Sequence, residues 1–142
     1  MLDRRWNALQ RTFLLMTDLG FLAYWVITFL HVLPASWLFH GYAEPTTQAW
    51  NLSFLPLDAI VSLSGIASVM LARRCPSSAR TLLVVSLVTT SISGLQALSF
   101  WTLRHDFDIT WWLPNAFLLA WPLPFLARMI WAVEPAPRAV RS

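Results

Sequence analysis

Charge is scarce in this chain. Of its 142 residues 12% are charged, against about 25% in soluble domains, and 57% are hydrophobic. So few charges cannot coat a water-facing surface, whereas a lipid-embedded protein needs no such coat. Lysine is absent, and all ten basic residues are arginines. The single cysteine, Cys75, excludes an internal disulfide. It sits beside Arg73 and Arg74 at a membrane boundary, where an ordinary reduced thiol is the plain reading and palmitoylation the other. With four glycines there is no Gly-rich phosphate loop and no Gly-rich packing face of the kind small multidrug exporters use. Paired-cysteine metal motifs, a G-x-S-x-G elbow and a nucleophile with its base are also lacking. His40, His105, Asp106 and Asp108 share no tight ligand spacing, so neither a metal nor a cofactor is expected.

What the chain does have is length of apolar run. Four segments, 12–34, 51–72, 81–103 and 110–131, each match the roughly 20 residues that cross a 30 Å hydrocarbon core. Lipid offers the backbone no partners, so each run reads as a helix. The expected fold is all-α: a polytopic membrane four-helix bundle forming one domain over 1–142, with a disordered tail at 132–142. Pro114, Pro122 and Pro124 interrupt the fourth run, so three spans plus a re-entrant segment is the fallback.

The arginines orient the bundle. Arg4, Arg5, Arg11, Arg73, Arg74, Arg80, Arg128, Arg138 and Arg141 map to one face and Arg104 to the other. The positive-inside rule then places both termini in the cytoplasm, at the cell membrane. The net charge of +3 is a topology signal, and no nucleic-acid partner is expected. The first run is too long for a signal peptide and lacks a cleavage site, so it reads as an anchor. Trp37, Trp50, Trp101, Trp111 and Trp112 fall near the outer interface and Trp6 and Trp131 near the inner one, as an aromatic belt. Trp25 and Trp121 fall deeper.

Two acids break the apolar pattern. Asp58 lies roughly 12 Å below Trp50 and Asp18 about 10 Å above Arg11, at 1.5 Å per helical residue. Each costs about 2.5–3.5 kcal/mol on insertion scales, so each needs a partner or a purpose. The structural reading is a protonated or hydrogen-bonded Asp tying two helices together. Around them run polar stripes at helical period. One is Asp58, Ser62 and Gly65; a second is Ser86, Thr89, Thr90, Ser93 and Gln96. A third is Thr17, Asp18, Phe21, Tyr24, Trp25, Thr28 and His31. Close helix packing produces similar stripes. Pro56, Pro122 and Pro124 free backbone groups at membrane depth, which is tolerated where they face protein or a cavity. Thr110 is read as the cap of the last helix, and Asn115 as facing inward from the outer side.

The strings Thr17-Asp-Leu-Gly-Phe-Leu-Ala-Tyr-Trp25, Trp50-Asn-Leu-Ser-Phe-Leu-Pro-Leu-Asp58, Gly94-Leu-Gln-Ala-Leu-Ser-Phe-Trp101 and Asp106-Phe-Asp-Ile-Thr-Trp-Trp-Leu-Pro-Asn115 resemble the YvaD-like small bacterial membrane proteins. The likeness runs from about residue 12 to 128. It implies a four-span inner-membrane protein and carries no activity. A looser likeness is to EXPERA-type bundles, through four spans, Trp50-x-x-Ser-Phe-Leu followed by an acid, and a proline-bearing fourth span. In that group membrane-embedded acids meet an amphipathic amine or a carbocation, but here no histidine joins the acids.

The leading expectation is an acidic, aromatic intramembrane pocket for a small hydrophobic or amphipathic molecule, whose polar or cationic group Asp58 would hold. Its residues are Asp58, Asp18, Tyr24, Trp25, Phe54, Ser62, Gln96, Asn115 and Trp121. Aromatic rings there offer cation–π contact worth about 0.5–2 kcal/mol each. The rivals are an isomerase or cyclase of isoprenoid-like substrates with Asp58 or Asp18 as general acid, and a proton-coupled exporter with Asp18 as coupling acid. Expected partners are the bilayer and the small molecule, with homo-oligomerisation left open.

Overall fold

A computed structural model of the chain describes residues 2–30, 41 and 44–131. His31, Trp37, His40, Tyr42 and the tail 132–142 lie outside them, as do the side chains of Arg4, Arg5 and Trp6. The described residues are helical throughout apart from short turns: α1 (Leu2–Phe29), α2 (Pro45–Leu52), α3 (Leu55–Leu71), α4 (Pro76–Leu103), α5 (Ile109–Ala120) and α6 (Leu123–Trp131). They make four stretches long and apolar enough to span a membrane: Asn7–Phe29, Pro45–Leu71, Pro76–Leu103 and Ile109–Trp131.

Proline punctuates these helices in three ways. Pro45 and Pro76 stand in the first turns of α2 and α4, where a missing N–H costs nothing. Pro56 cannot donate to the Leu52 carbonyl, so the second span breaks before it and tightens to an i→i−3 bond, Phe54 N–H to Asn51 O at 3.1 Å. The fourth span breaks in the same way at Trp121–Pro122, where Phe125 N–H bonds Pro122 O at 3.1 Å. Pro114 is different: α5 continues through it. The fourth span is thus two consecutive helical pieces that together are long and apolar enough to span a membrane.

Helices pack mostly in chain order, α1 on α3, α3 on α4, and α4 on α5 and α6. Arg11, Arg73, Arg74, Arg80 and Arg128 fall at one end of the bundle, where the Arg80 guanidinium donates to Met129 O at 3.4 Å. Trp50, Trp101, Trp111 and Trp112 fall at the other end, together with Arg104. Glycine permits two close approaches. A Cβ at Gly94 would lie 2.5 Å from both Asn115 O and Leu119 N, so only glycine lets α5 lie this close to α4. At Gly65 a Cβ would overlap the Asp18 carboxylate.

Two apolar clusters fill the interior. Leu14, Leu87, Trp121 and Phe125 pack toward the arginine end, with Phe13. Phe13 also meets Phe117 at 5.7 Å and Trp121 at 5.8 Å, which closes α1 onto α5 at that level. Trp25, Phe54 and Ala97 pack toward the tryptophan end. Outside, large apolar side chains such as Leu63 (70% exposed) and Met70 (73%) face outward, an arrangement suited to lipid.

The hydroxyls of α3 and α4 divide between local and interhelical bonds. Ser64 bonds Ile60 O at 2.6 Å, Ser68 bonds Gly65 O at 2.7 Å, and Thr90 bonds Ser86 O at 2.7 Å, each within its own helix. Three serines reach across: Ser62 to Asp18 O, Ser91 to Leu119 O and Ser93 to Asp58.

Candidate functional site

The break before Pro56 places Asp58 in the first turn of α3, facing inward and 3% exposed. Its backbone N–H donates to Phe54 O at 2.8 Å. Its carboxylate is held from two sides. The Trp25 indole of α1 donates to Oδ2 at 3.0 Å, and the Ser93 hydroxyl of α4 donates to Oδ1 at 3.2 Å. One donor on each oxygen fixes the plane of the carboxylate and leaves acceptor capacity on both.

Asp58 lies on the wall of a cavity of about 320 Å³ in the tryptophan-end half of the bundle. Met16, Thr17, Gly20, Phe21 and Tyr24 of α1 form one side, and Trp111, Pro114, Asn115, Phe117 and Leu118 of α5 the opposite one. Trp50 and Asn51 of α2, Phe54 of α3, and Ser93, Ala97 and Trp101 of α4 complete it. Trp50 stacks on Phe100 at 3.9 Å and meets Phe54 at 5.0 Å and Trp101 at 5.3 Å edge-on, a rigid aromatic cap. Tyr24 donates to Asn51 Oδ1 at 2.8 Å across the same end. The mouth lies between α1 and α5, where Met16, Gly20, Pro114 and Phe117 are exposed. It therefore opens sideways, on the lipid-facing flank.

The expected pocket residues separate into three groups. Asp58, Tyr24, Phe54 and Asn115 line the cavity. Asn115 turns its amide back to Trp111 O at 2.7 Å. Trp25 is buried behind the wall as the donor that holds Asp58. The other four are elsewhere. Trp121 packs in the opposite cluster, Ser62 bonds the Asp18 backbone carbonyl at 3.1 Å, and Gln96 is exposed on the outer face of α4. Asp18 is fully buried against Gly65 and lines neither this cavity nor the one at the arginine end. Periodicity misled for Gln96 because α3 and α5 together cover only part of the α4 circumference, and a three-residue step from Ser93 passes their edge. Trp50, Trp101 and Trp111, which read as belt in sequence, are wall residues, as is Phe117. Their repeated spacing near one interface was the available signal.

At the arginine end a second cavity of about 250 Å³ lies between α1, α3 and α4, lined by Arg11, Leu14, Ser68, Arg80 and Leu83 among others. Near the tryptophan end, the Asp108 carboxylate, and not Thr110, caps α5. It accepts from Thr110 N at 2.9 Å and from the Thr110 hydroxyl at 2.7 Å. Arg104 pairs with Glu44 at 3.4 Å. His40 is outside the described residues, and among those residues no three His, Cys, Asp or Glu side chains gather as metal ligands would.

Fold and site together define a multi-pass helical membrane protein with an acid-walled cavity open on its flank. The chain belongs to the family of unknown function DUF5360, which matches residues 10–135. It is similar to the uncharacterized protein YvaD of Bacillus subtilis (strain 168), 45% identical over 117 residues that cover 82% of this chain and 88% of that protein. No solved structure matches the chain.

Proposed function

We propose that this protein binds a small hydrophobic or amphipathic molecule, with Asp58 receiving its cationic or hydrogen-bond-donating group. The observation that carries this reading is the pairing of a carboxylate of fixed plane with a largely apolar, aromatic-rich wall in one cavity. Few polar groups on an apolar lining is how small-molecule sites obtain orientation, and about 320 Å³ falls at the small end of their usual range. Phe21, Tyr24, Trp50 and Trp111 supply the apolar contact and faces for cation–π attraction. The sideways mouth suits a ligand that partitions into the bilayer first. A bacterial inner membrane with cytoplasmic termini belongs to the same proposal, supported by the arginines at one end.

The isomerase reading calls for a second proton carrier beside Asp58. Of the two intramembrane acids only Asp58 stands at the wall, which favours binding over turnover. The test uses purified protein and the intrinsic fluorescence of the wall tryptophans, titrated with a primary alkylamine and with the alcohol of equal chain length. Asp58→Asn is expected to weaken the amine about tenfold, the equivalent of about 1.4 kcal/mol, and to leave the alcohol nearly unchanged. Equal amine affinity in wild type and variant would remove Asp58 from this role.

A further inference from the structure

Asp18 stands in the partition between the two cavities. On α1, its neighbour Thr17 lines the cavity at the tryptophan end, and Leu14, one turn away, lines the one at the arginine end. On α3, Asp58 and Ser68 line the same two cavities, and Gly65, against which the Asp18 carboxylate rests, lies between them. The Asp58–Ser93 hydrogen bond sets the register of antiparallel α3 and α4. Two helical turns along from that pair, Gly65 comes opposite Ser86. Asp18, Ser62, Gly65 and Ser86 therefore belong to the partition, which runs about 15 Å along α3 from Asp58 to Ser68 and along α4 from Ser93 to Leu83.

Ser62 is satisfied there by the Asp18 backbone carbonyl, but the other polar side chains are not. Both Asp18 carboxylate oxygens and the hydroxyl oxygens of Thr17 and Ser86 are buried without a hydrogen-bond partner among the described residues. Asp18 itself is 0% exposed. Native interiors rarely leave such groups unmet, and an intramembrane acid without a partner is the sharpest form of the problem. Where the protein supplies no donor, the remaining ones are water and the proton. On α1 each cavity has a lining residue within about one helical turn of Asp18.

We infer that Asp18 is a proton-exchange site, taking a proton from water in one cavity and releasing it to the other. The step is balanced in itself. A hydronium loses one O–H bond as the carboxylate gains one, release reverses this, and nothing is oxidised or reduced. The titratable or charged groups facing the site are few. Asp58 and the Tyr24 phenol line the cavity on one side, and Arg11 and Arg80 line the other. No charged residue occurs in α5, and Arg128 of α6 is exposed. The inference goes beyond the ligand reading and is measured without ligand, so its failure would leave Asp58 untouched.

The test is infrared difference spectroscopy of the full chain in lipid vesicles. Wild type and Asp58→Asn are expected to show a protonated-carboxyl band that shifts in D₂O and disappears reversibly as pH rises. Asp18→Asn is expected to lack it. Absence of any Asp18-dependent band, or a band that neither exchanges nor titrates, would mark a fixed structural acid and overturn the inference. In potassium-loaded vesicles with valinomycin, wild type and Asp18→Glu should collapse an imposed pH gradient several-fold faster than Asp18→Asn; equal rates would overturn the relay. If Asp18→Asn does not insert, carbodiimide treatment of wild type decides. Adduct at Asp18 supports the site, and labelling confined to other carboxyls refutes it.

Discussion

Asp58 and Asp18 are the same side chain at similar depth, both almost wholly buried, yet the bundle treats them in opposite ways. Asp58 receives a donor on each oxygen and stands beside a cavity. Asp18 receives none and rests against a glycine, in a wall with a cavity on either side. The difference teaches that burial alone does not define a role for an intramembrane acid. What matters is whether the neighbours supply donors, space or neither.

That contrast can be broken most strongly at Gly65. Gly65→Val drives a branched side chain into the Asp18 carboxylate, and overpacking of a tight site costs about 1–3 kcal/mol. The loss would be read as a lower denaturation midpoint in detergent. Adding Asp18→Ala should recover much of it, and a strictly additive double variant would show that the two residues do not meet. The Asp58 side gives a smaller effect. Trp25→Phe keeps a ring in the cluster but removes the donor to Oδ2 while Ser93 still holds Oδ1, for an expected loss of about 0.5–1.5 kcal/mol by the same measurement. It should also weaken amine binding by letting the carboxylate rotate. Smallest of all is Gln96→Leu, on the exposed face of α4, expected to stay within about 0.5 kcal/mol of wild type and to bind amine unchanged. A marked loss of binding there would return Gln96 to the site.

Much of the fold was legible because lipid leaves so few options. Apolar runs of spanning length have to be helices, and Pro56 and Pro122 fall where the helices break. Pro114, read as a kink near a helix start, lies inside a helix that continues. The cap was assigned to Thr110 when the neighbouring Asp108 provides it, since both residue types cap well and only the backbone turn at Asp108 distinguishes them. For the cavity, Asp58, Tyr24, Phe54 and Asn115 were legible through polarity or aromaticity at depth. Trp121 and Gln96 were not, because helical period gives a direction around one axis and says nothing about which neighbour lies there. Of the stripe hydroxyls, Thr89 and Thr90 bond within their own helix whereas Ser62 and Ser93 reach across, a division that a pattern of residue types cannot reveal.

Composition and spacing by themselves determined that this chain lives in a bilayer as four helical spans with two acids at depth, because hydrophobic length and backbone satisfaction are local properties of each segment. Which acid meets donors, which meets a glycine, and where a hollow remains were decided only by tertiary structure. Those outcomes depend on the rotation and separation of neighbouring helices, set by close approaches such as Gly94 on α5 and by the ring contacts that close α1 onto α5 at one level and leave them apart at the other.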